Sequence, residues 1–173
     1  MEQYPVRKIE KPIDWCVTVP GSKSMTNRAL LMAALSDGTV TLDGVLFSDD
    51  SRHFISSLTA LGFDVLVEEE KRRVTVKGEG GTIPKKEAEI DVGSAGTAAR
   101  FLTAMLGMSD GSYVIQASAD EKKTDEDLFV LLEHTGAEIT YLEREGFLPV
   151  KITGQRKDRS LQSGLTSAGV PSF

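Results

Sequence analysis

Lys23, Ser24 and Arg28 stand in the run Pro20-Gly21-Ser22-Lys23-Ser24-Met25-Thr26-Asn27-Arg28, which leads directly into the apolar block Ala29-Leu30-Leu31-Met32-Ala33-Ala34-Leu35. A turn signal, hydroxyls and two cations at the opening of a helix that must be buried are the ingredients of an anion site. The first N–H groups of a helix have no intrahelical acceptors, and the helix dipole places partial positive charge there. Lys23 and Arg28 add full charges, and Arg28 follows Ser24 by four residues, on the same helical face. Read alone, these residues also fit an ordinary capped helix with solvated charges. A second copy favours the anion.

That copy is Gly93-Ser94-Ala95-Gly96-Thr97-Ala98-Ala99-Arg100, again followed by an apolar run, Phe101-Leu102-Thr103-Ala104-Met105-Leu106. Downstream, Ser36-Asp37-Gly38-Thr39-Val40 recurs as Ser109-Asp110-Gly111-Ser112-Tyr113, and Leu61-Gly62-Phe63-Asp64-Val65 as Thr135-Gly136-Ala137-Glu138-Ile139. The spacing is too long for a solenoid unit and marks a duplicated supersecondary module.

The elements that must hold these residues follow from periodicity. Trp15 to Val19 reads as a strand, Ser24 to Leu35 as a helix, and Gly38 to Gly44 as a short strand. Ser48-Asp49-Asp50 caps a second helix, with Gly62 just past its end, and the runs 63–67 and 73–76 form a hairpin around a solvated charged tip. The second copy reads as a helix over 96–106, a strand over 112–116, a helix over 125–133 and a hairpin of 137–142 with 148–152. The expectation is one α+β domain of layered helices and mixed sheets. Its first module would span 15–77 and its second 88–154, with an irregular tail over 155–173.

The 173 residues carry 20 Lys and Arg against 26 Asp and Glu, a net charge of -6. That balance argues against a nucleic-acid partner, which wants a basic face, but not against small anionic ligands that respond to the local field of a cleft. The single cysteine, Cys16, excludes a disulfide framework and reads as a small buried hydrophobe. His53 and His134 lack partners at metal-ligand spacing, so neither a metal nor a cofactor is expected. No run is long enough to span a bilayer and the N-terminus lacks the apolar core of a signal peptide, which points to a cytoplasmic protein.

Three blocks together carry a resemblance: Pro20 to Arg28 followed by Ala29-Leu30-Leu31, then Ser48-Asp49-Asp50-Ser51-Arg52-His53, then Gly93 to Arg100. In this order the chain, up to about Gly154, resembles the N-terminal half of the 5-enolpyruvylshikimate-3-phosphate synthase family. The resemblance implies duplicated modules of the enolpyruvyl-transferase type, an inside-out α/β barrel. It implies transfer of the enolpyruvyl group of phosphoenolpyruvate to the 5-hydroxyl of shikimate 3-phosphate, with release of phosphate. On matching positions, Lys23 would contact both substrates, Ser24 and Arg28 would hold shikimate 3-phosphate, and Gly96 would border phosphoenolpyruvate. Arg100 is a further candidate, for substrate contact or for a structural pair with Asp49 or Asp50. Those two aspartates are explained by helix capping, and could also orient Lys23.

Two departures from the family pattern stand out. In Ala117-Ser118-Ala119-Asp120-Glu121-Lys122-Lys123-Thr124-Asp125, Ala119 takes the place of an arginine that grips phosphoenolpyruvate, and Lys123 that of a second arginine. Lysine lacks the bidentate fork of arginine, and Asp120 and Glu121 repel an anion. In the family, a third module, a second domain and the proton-transfer groups would follow, so the chain reads as a truncated N-terminal part with no general acid or base of its own. A non-catalytic remnant, which pairs with itself or with a separately encoded second half, is the alternative from another class. A transferase acting on UDP-N-acetylglucosamine fits less well, because the cysteine its loop would carry is absent from 117–124.

Overall fold

The structure, a computed structural model, describes residues 14, 16–17, 19–117 and 124–155. Ala119, Asp120, Glu121 and Lys123, and the expected tail beyond Gln155, lie outside the described residues.

Twelve elements follow in order: α1 Lys23–Leu35, β1 Asp37–Asp43, α2 Asp49–Ala60, β2 Asp64–Glu68, a 3-10 turn at Glu69–Lys71, β3 Arg73–Glu79, β4 Glu87–Asp91, α3 Gly96–Gly107, β5 Ser112–Gln116, α4 Glu126–His134, β6 Glu138–Tyr141 and β7 Val150–Thr153. None of the described helices is long and apolar enough to cross a membrane.

Local chemistry sets the boundaries. Ser48 and Ser51 make a reciprocal capping box that starts α2, and Gly62, with φ +90°, lets the chain turn away after Leu61. The cap is thus Ser48, while Asp49 and Asp50 occupy the first turn, where carboxylates complement the dipole. Arg72, at φ 51°, closes the 3-10 turn of the charged hairpin tip.

β1, β3 and β2 form an antiparallel three-stranded sheet in that spatial order. The second sheet runs β4-β5-β7-β6, with β4 parallel to β5 and the other pairs antiparallel. Helices α1, α2 and α3 pack on one another, α1 against β3 and α3 against β7. Leu30, Phe54, Leu58, Leu102 and Leu106 meet Val74, Val76, Tyr113, Ile115 and Ile152 in one continuous core, all fully buried. Removing each from water contributes roughly 1.5–3 kcal/mol.

The duplication extends to atomic detail. Ser36 Oγ donates to Ala33 O at 2.7 Å beneath the end of α1, and Ser109 Oγ donates to Leu106 O at 2.7 Å beneath the end of α3. A glycine passes under each turn: a Cβ at Gly78 would lie 2.3 Å from Ser36 O and 2.5 Å from Ala33 O, and one at Gly154 would lie 2.4 Å from Ser109 O and 2.6 Å from Leu106 O.

The first strand of each module departs from expectation. Cys16, Val17 and Val19 belong to no strand and are exposed, and Trp15 and Thr18 lie outside the described residues. Cys16 is therefore not the buried hydrophobe its setting suggested. In the second module β4 is present, although its sequence, Glu87-Ala88-Glu89-Ile90-Asp91, is too acidic to have stood out as a strand.

Gly78→Ala and Gly154→Ala should each lower unfolding free energy by about 3 kcal/mol, because the new methyl meets backbone oxygens that cannot move aside. Gly80→Ala faces open space at φ +59° and should cost only about 1–2 kcal/mol. Urea denaturation checks this, and equal losses at all three positions would contradict the close-approach account.

Candidate functional site

The four helix starts divide into two kinds. α2 and α4 carry acids in the first turn, Asp49 and Asp50 in one and Glu126 and Asp127 in the other, and their caps Ser48 and Asp125 accept from Ser51 N and Leu128 N. α1 and α3 have no acid in the first turn. Ser22 accepts from Met25 N at 3.4 Å, much as Ser48 and Asp125 accept at 3.3 Å, whereas Ala95 offers α3 no side-chain cap. The helices that open on the two glycine-serine runs are thus the ones with no carboxylate at their positive ends, and α3 also lacks a side-chain cap.

At the first of these starts, Lys23 Nζ lies 3.0 Å from Asp50 Oδ2. The lysine is half exposed and the carboxylate mostly buried, so the pair fixes the direction of Lys23 more than it stabilises the fold. Asp50 is held in turn by the loop before α2. Thr26 Oγ1 accepts from Leu46 N at 3.2 Å, and Ser51 Oγ donates to Leu46 O at 2.6 Å. Gly21 packs so closely on the end of β1 that a Cβ there would lie 2.3 Å from Gly44 O. Ser24 is half-buried beside Lys23. Arg28 is exposed and has no hydrogen-bond or ion-pair partner among the described residues, a guanidinium free to meet an anion.

At the second start, Gly93, at φ +53°, turns the chain from β4 into α3, with its N–H donating to Asp91 Oδ1 at 2.7 Å. The His53 ring lies on this turn. Its Nδ1 donates to Asp91 O at 3.2 Å, and a Cβ at Gly93 would sit 2.3 Å from Nε2. Gly96 has open space where a Cβ would be, so a ligand can reach the backbone. Beside it a cleft of about 140 Å³ is lined by Gly96, Arg100, Thr103, Thr124, Leu128 and Phe129. Arg100 Nε lies 2.5 Å from Asp125 Oδ2. This corrects the expected pairing with Asp49 or Asp50. Asp125 is the cap of α4 and flanks the same cleft, whereas Asp50 is engaged by Lys23.

α2 ties the two starts together. Asp50 holds Lys23 and, one turn later, His53 holds the Gly93 turn, a rise of only about 4.5 Å along the helix. Thr26, Ser51 and His53 thus do the positioning, a role that none of them was given from sequence, although all three lie in the blocks that carry the resemblance. The Ser48-x-x-Ser51 spacing was the available signal for one of them. Arg52, next on α2, is turned away to Glu69 of the hairpin tip, which lowers the Glu69 pKa chiefly through that hydrogen bond. Among the described residues no group of three or more His, Cys, Asp or Glu is placed to hold a metal ion.

Comparison with known proteins gives one family. Residues 7–173 match the model for EPSP synthase (3-phosphoshikimate 1-carboxyvinyltransferase). The chain is 39% identical over 157 residues to the 3-phosphoshikimate 1-carboxyvinyltransferase of Trichormus variabilis, covering 90% of this chain and 37% of that protein. It is 41% identical over 169 residues to that of Vibrio atlanticus, covering 96% and 38%. An EPSP synthase structure from Acinetobacter baumannii superposes with a TM-score of 0.71 at 28% identity, over 80% of this chain and 31% of that one. The chain therefore spans a little over a third of the length of the curated relatives it matches.

The contact between His53 and Gly93 predicts strong coupling. Gly93→Ala should cost about 3 kcal/mol in the native background but only about 1–2 kcal/mol, the left-handed backbone alone, when His53→Ala has removed the ring. A double-mutant cycle by chemical denaturation measures the difference, and additive losses would show that the ring does not brace the turn.

Proposed function

The chain belongs to the EPSP synthase family, and we propose that it forms the wall of an enolpyruvyl-transferase site that grips shikimate 3-phosphate. The reaction joins two anions, phosphoenolpyruvate and shikimate 3-phosphate. Two unit charges about 4 Å apart repel by about 4 kcal/mol at an effective dielectric near 20. Fixed positive charge between them therefore serves both binding and alignment. The observation that carries the proposal is the contrast among helix starts: α1 and α3 open free of acids, beside a guanidinium with no partner among the described residues and a lysine aimed by Asp50.

In this reading Ser24 and Arg28 bind shikimate 3-phosphate, Lys23 reaches both substrates, and Gly96 borders phosphoenolpyruvate. The phosphoenolpyruvate side is the weaker one. The charge of Arg100 is shared with Asp125, and Ala119 and Lys123 lie outside the described residues. The 5-hydroxyl must lose a proton and the methylene carbon of phosphoenolpyruvate must gain one as the tetrahedral adduct forms, and that carbon must lose a proton again as phosphate leaves. We place those groups in the part of the relatives that this chain does not match, so the chain by itself binds without turnover. The pathway is aromatic amino-acid biosynthesis and the compartment we propose is the cytoplasm.

Calorimetry with shikimate 3-phosphate tests the reading. Lys23→Ala and Arg28→Ala should each weaken binding about 10- to 100-fold, the loss expected of one charge-assisted hydrogen bond, and the double variant should abolish it. Gly96→Ala should leave stability unchanged or raise it by about 0.4–1 kcal/mol while blocking phosphoenolpyruvate. Phosphate release from both substrates by the native chain alone would refute the assignment of proton transfer to the unmatched part.

A further inference from the structure

Two neighbouring polar side chains of α1, Thr26 and Asn27, are buried where α3 has Ala98 and Ala99. The scaffold accounts for the first. Thr26 Oγ1 accepts from Leu46 N at 3.2 Å and ties α1 to the loop before α2. It does not account for the second. Asn27 is 0% exposed, and neither its Nδ2 nor its Oδ1 has a partner among the described residues. The buried hydroxyls of Ser51, Ser57 and Ser109, by contrast, each donate to a backbone carbonyl. Burying both ends of a carboxamide unpaired is costly, and an apolar side chain in its place would be no worse. α3 shows that a helix of this kind opens and packs with a methyl at that position. A buried polar group that the fold does not need points to a partner from outside the fold.

Its position says from which side that partner comes. Asn27 follows Lys23 by four residues and Ser24 by three, and helical side chains lean toward the N-terminus. The carboxamide therefore lies beneath the first turn of α1. Lys23 is half exposed and Ser24 half-buried, so the side chains above it can turn without disturbing the core. Chemistry says what the partner carries. An ionised phosphate monoester accepts hydrogen bonds and donates none, so its oxygens satisfy Nδ2 alone. Oδ1 needs a donor. A ligand with a hydroxyl beside its phosphate supplies both.

We propose that Asn27 is a specificity residue of the α1 opening, which reads the hydroxyl next to the phosphate of shikimate 3-phosphate once Lys23 and Ser24 have turned to the anion. Nδ2 donates to a phosphate oxygen and Oδ1 accepts from the neighbouring hydroxyl. Lys23 and Arg28 meet the charge, which any oxyanion carries, whereas Asn27 meets the pairing of donor and acceptor, which few ligands offer. The role presupposes that shikimate 3-phosphate is the ligand of this site.

The test titrates the full chain with shikimate 3-phosphate and, separately, with sulfate, an oxyanion that only accepts. Asn27 is the only asparagine of the chain, so asparagine-selective isotope labelling gives one side-chain amide pair to follow by NMR. That pair should shift with shikimate 3-phosphate at the midpoint of the Arg28 amide. Asn27→Ala and Asn27→Leu should each weaken shikimate 3-phosphate at least about tenfold, the loss of a hydrogen bond to a charged group, and sulfate by no more than about threefold. At least one of the two variants should unfold in urea at or above the native midpoint. A native chain that binds no shikimate 3-phosphate would overturn the substrate reading and this role with it. Binding with an Asn27 amide pair that stays still, variants that bind as well as the native chain, or equal losses for both anions would overturn the role alone. Destabilisation of both variants would do the same, by showing that the carboxamide serves the fold.

Discussion

The geometry of the site depends on two turns of one helix. α2 begins at Ser48 and within its first turns sends Asp50 to Lys23 and His53 to the Gly93 turn, so the openings of α1 and α3 are held by the same rigid element. Neither contact is strong by itself. An exposed ion pair contributes at most about 1 kcal/mol. What makes them effective is the buried scaffold behind them, where Phe54 and Leu58 of α2 pack into the common core and cannot shift without opening it.

The duplicated module explains how one protein presents two anion-ready helix starts without their being equivalent. The scaffold parts repeat: the serine that closes each helix, the glycine beneath it, and the antiparallel hairpin. The charges do not repeat. Arg28 has no partner among the described residues, whereas Arg100 is occupied by the cap of α4, and the fully buried Asn27 corresponds to the small Ala99 of the second copy. Neither the carboxamide oxygen nor the nitrogen of Asn27 has a partner among the described residues, a costly arrangement for a fully buried side chain. Electrostatics has diverged while packing has been kept, as expected if the two starts meet different anions.

Much of this was legible in the sequence. Helix α1 and strand β5 follow from apolar periodicity and glycine punctuation, and the second hairpin from its repeat of the first. Lys23, Ser24, Arg28 and Gly96 stood out through the repeated glycine-serine run and the family resemblance, since read alone a cation at a helix opening also fits a solvated cap. The orientation of Lys23 by Asp50, offered from sequence as one role for Asp49 and Asp50, is present. What was not legible is the Arg100–Asp125 pair and the seat of His53 on Gly93, set by helix packing, which periodicity does not report. Strand β4 was hidden by three acids that face outward, and of the strand expected over 15–19 the described Cys16, Val17 and Val19 take no part in a sheet, because β-branched residues say nothing about whether an edge is in reach.

The central claim is that both helix openings serve one pocket, and an amide NMR titration of the native chain with shikimate 3-phosphate tests it most directly. A shared pocket predicts that the amides of Gly21–Arg28 and of Gly93–Arg100 shift together along a single isotherm, with His53 reporting the same midpoint. Shifts confined to the first run, or two runs with unrelated midpoints, would mean that α2 joins the openings structurally without making them one site.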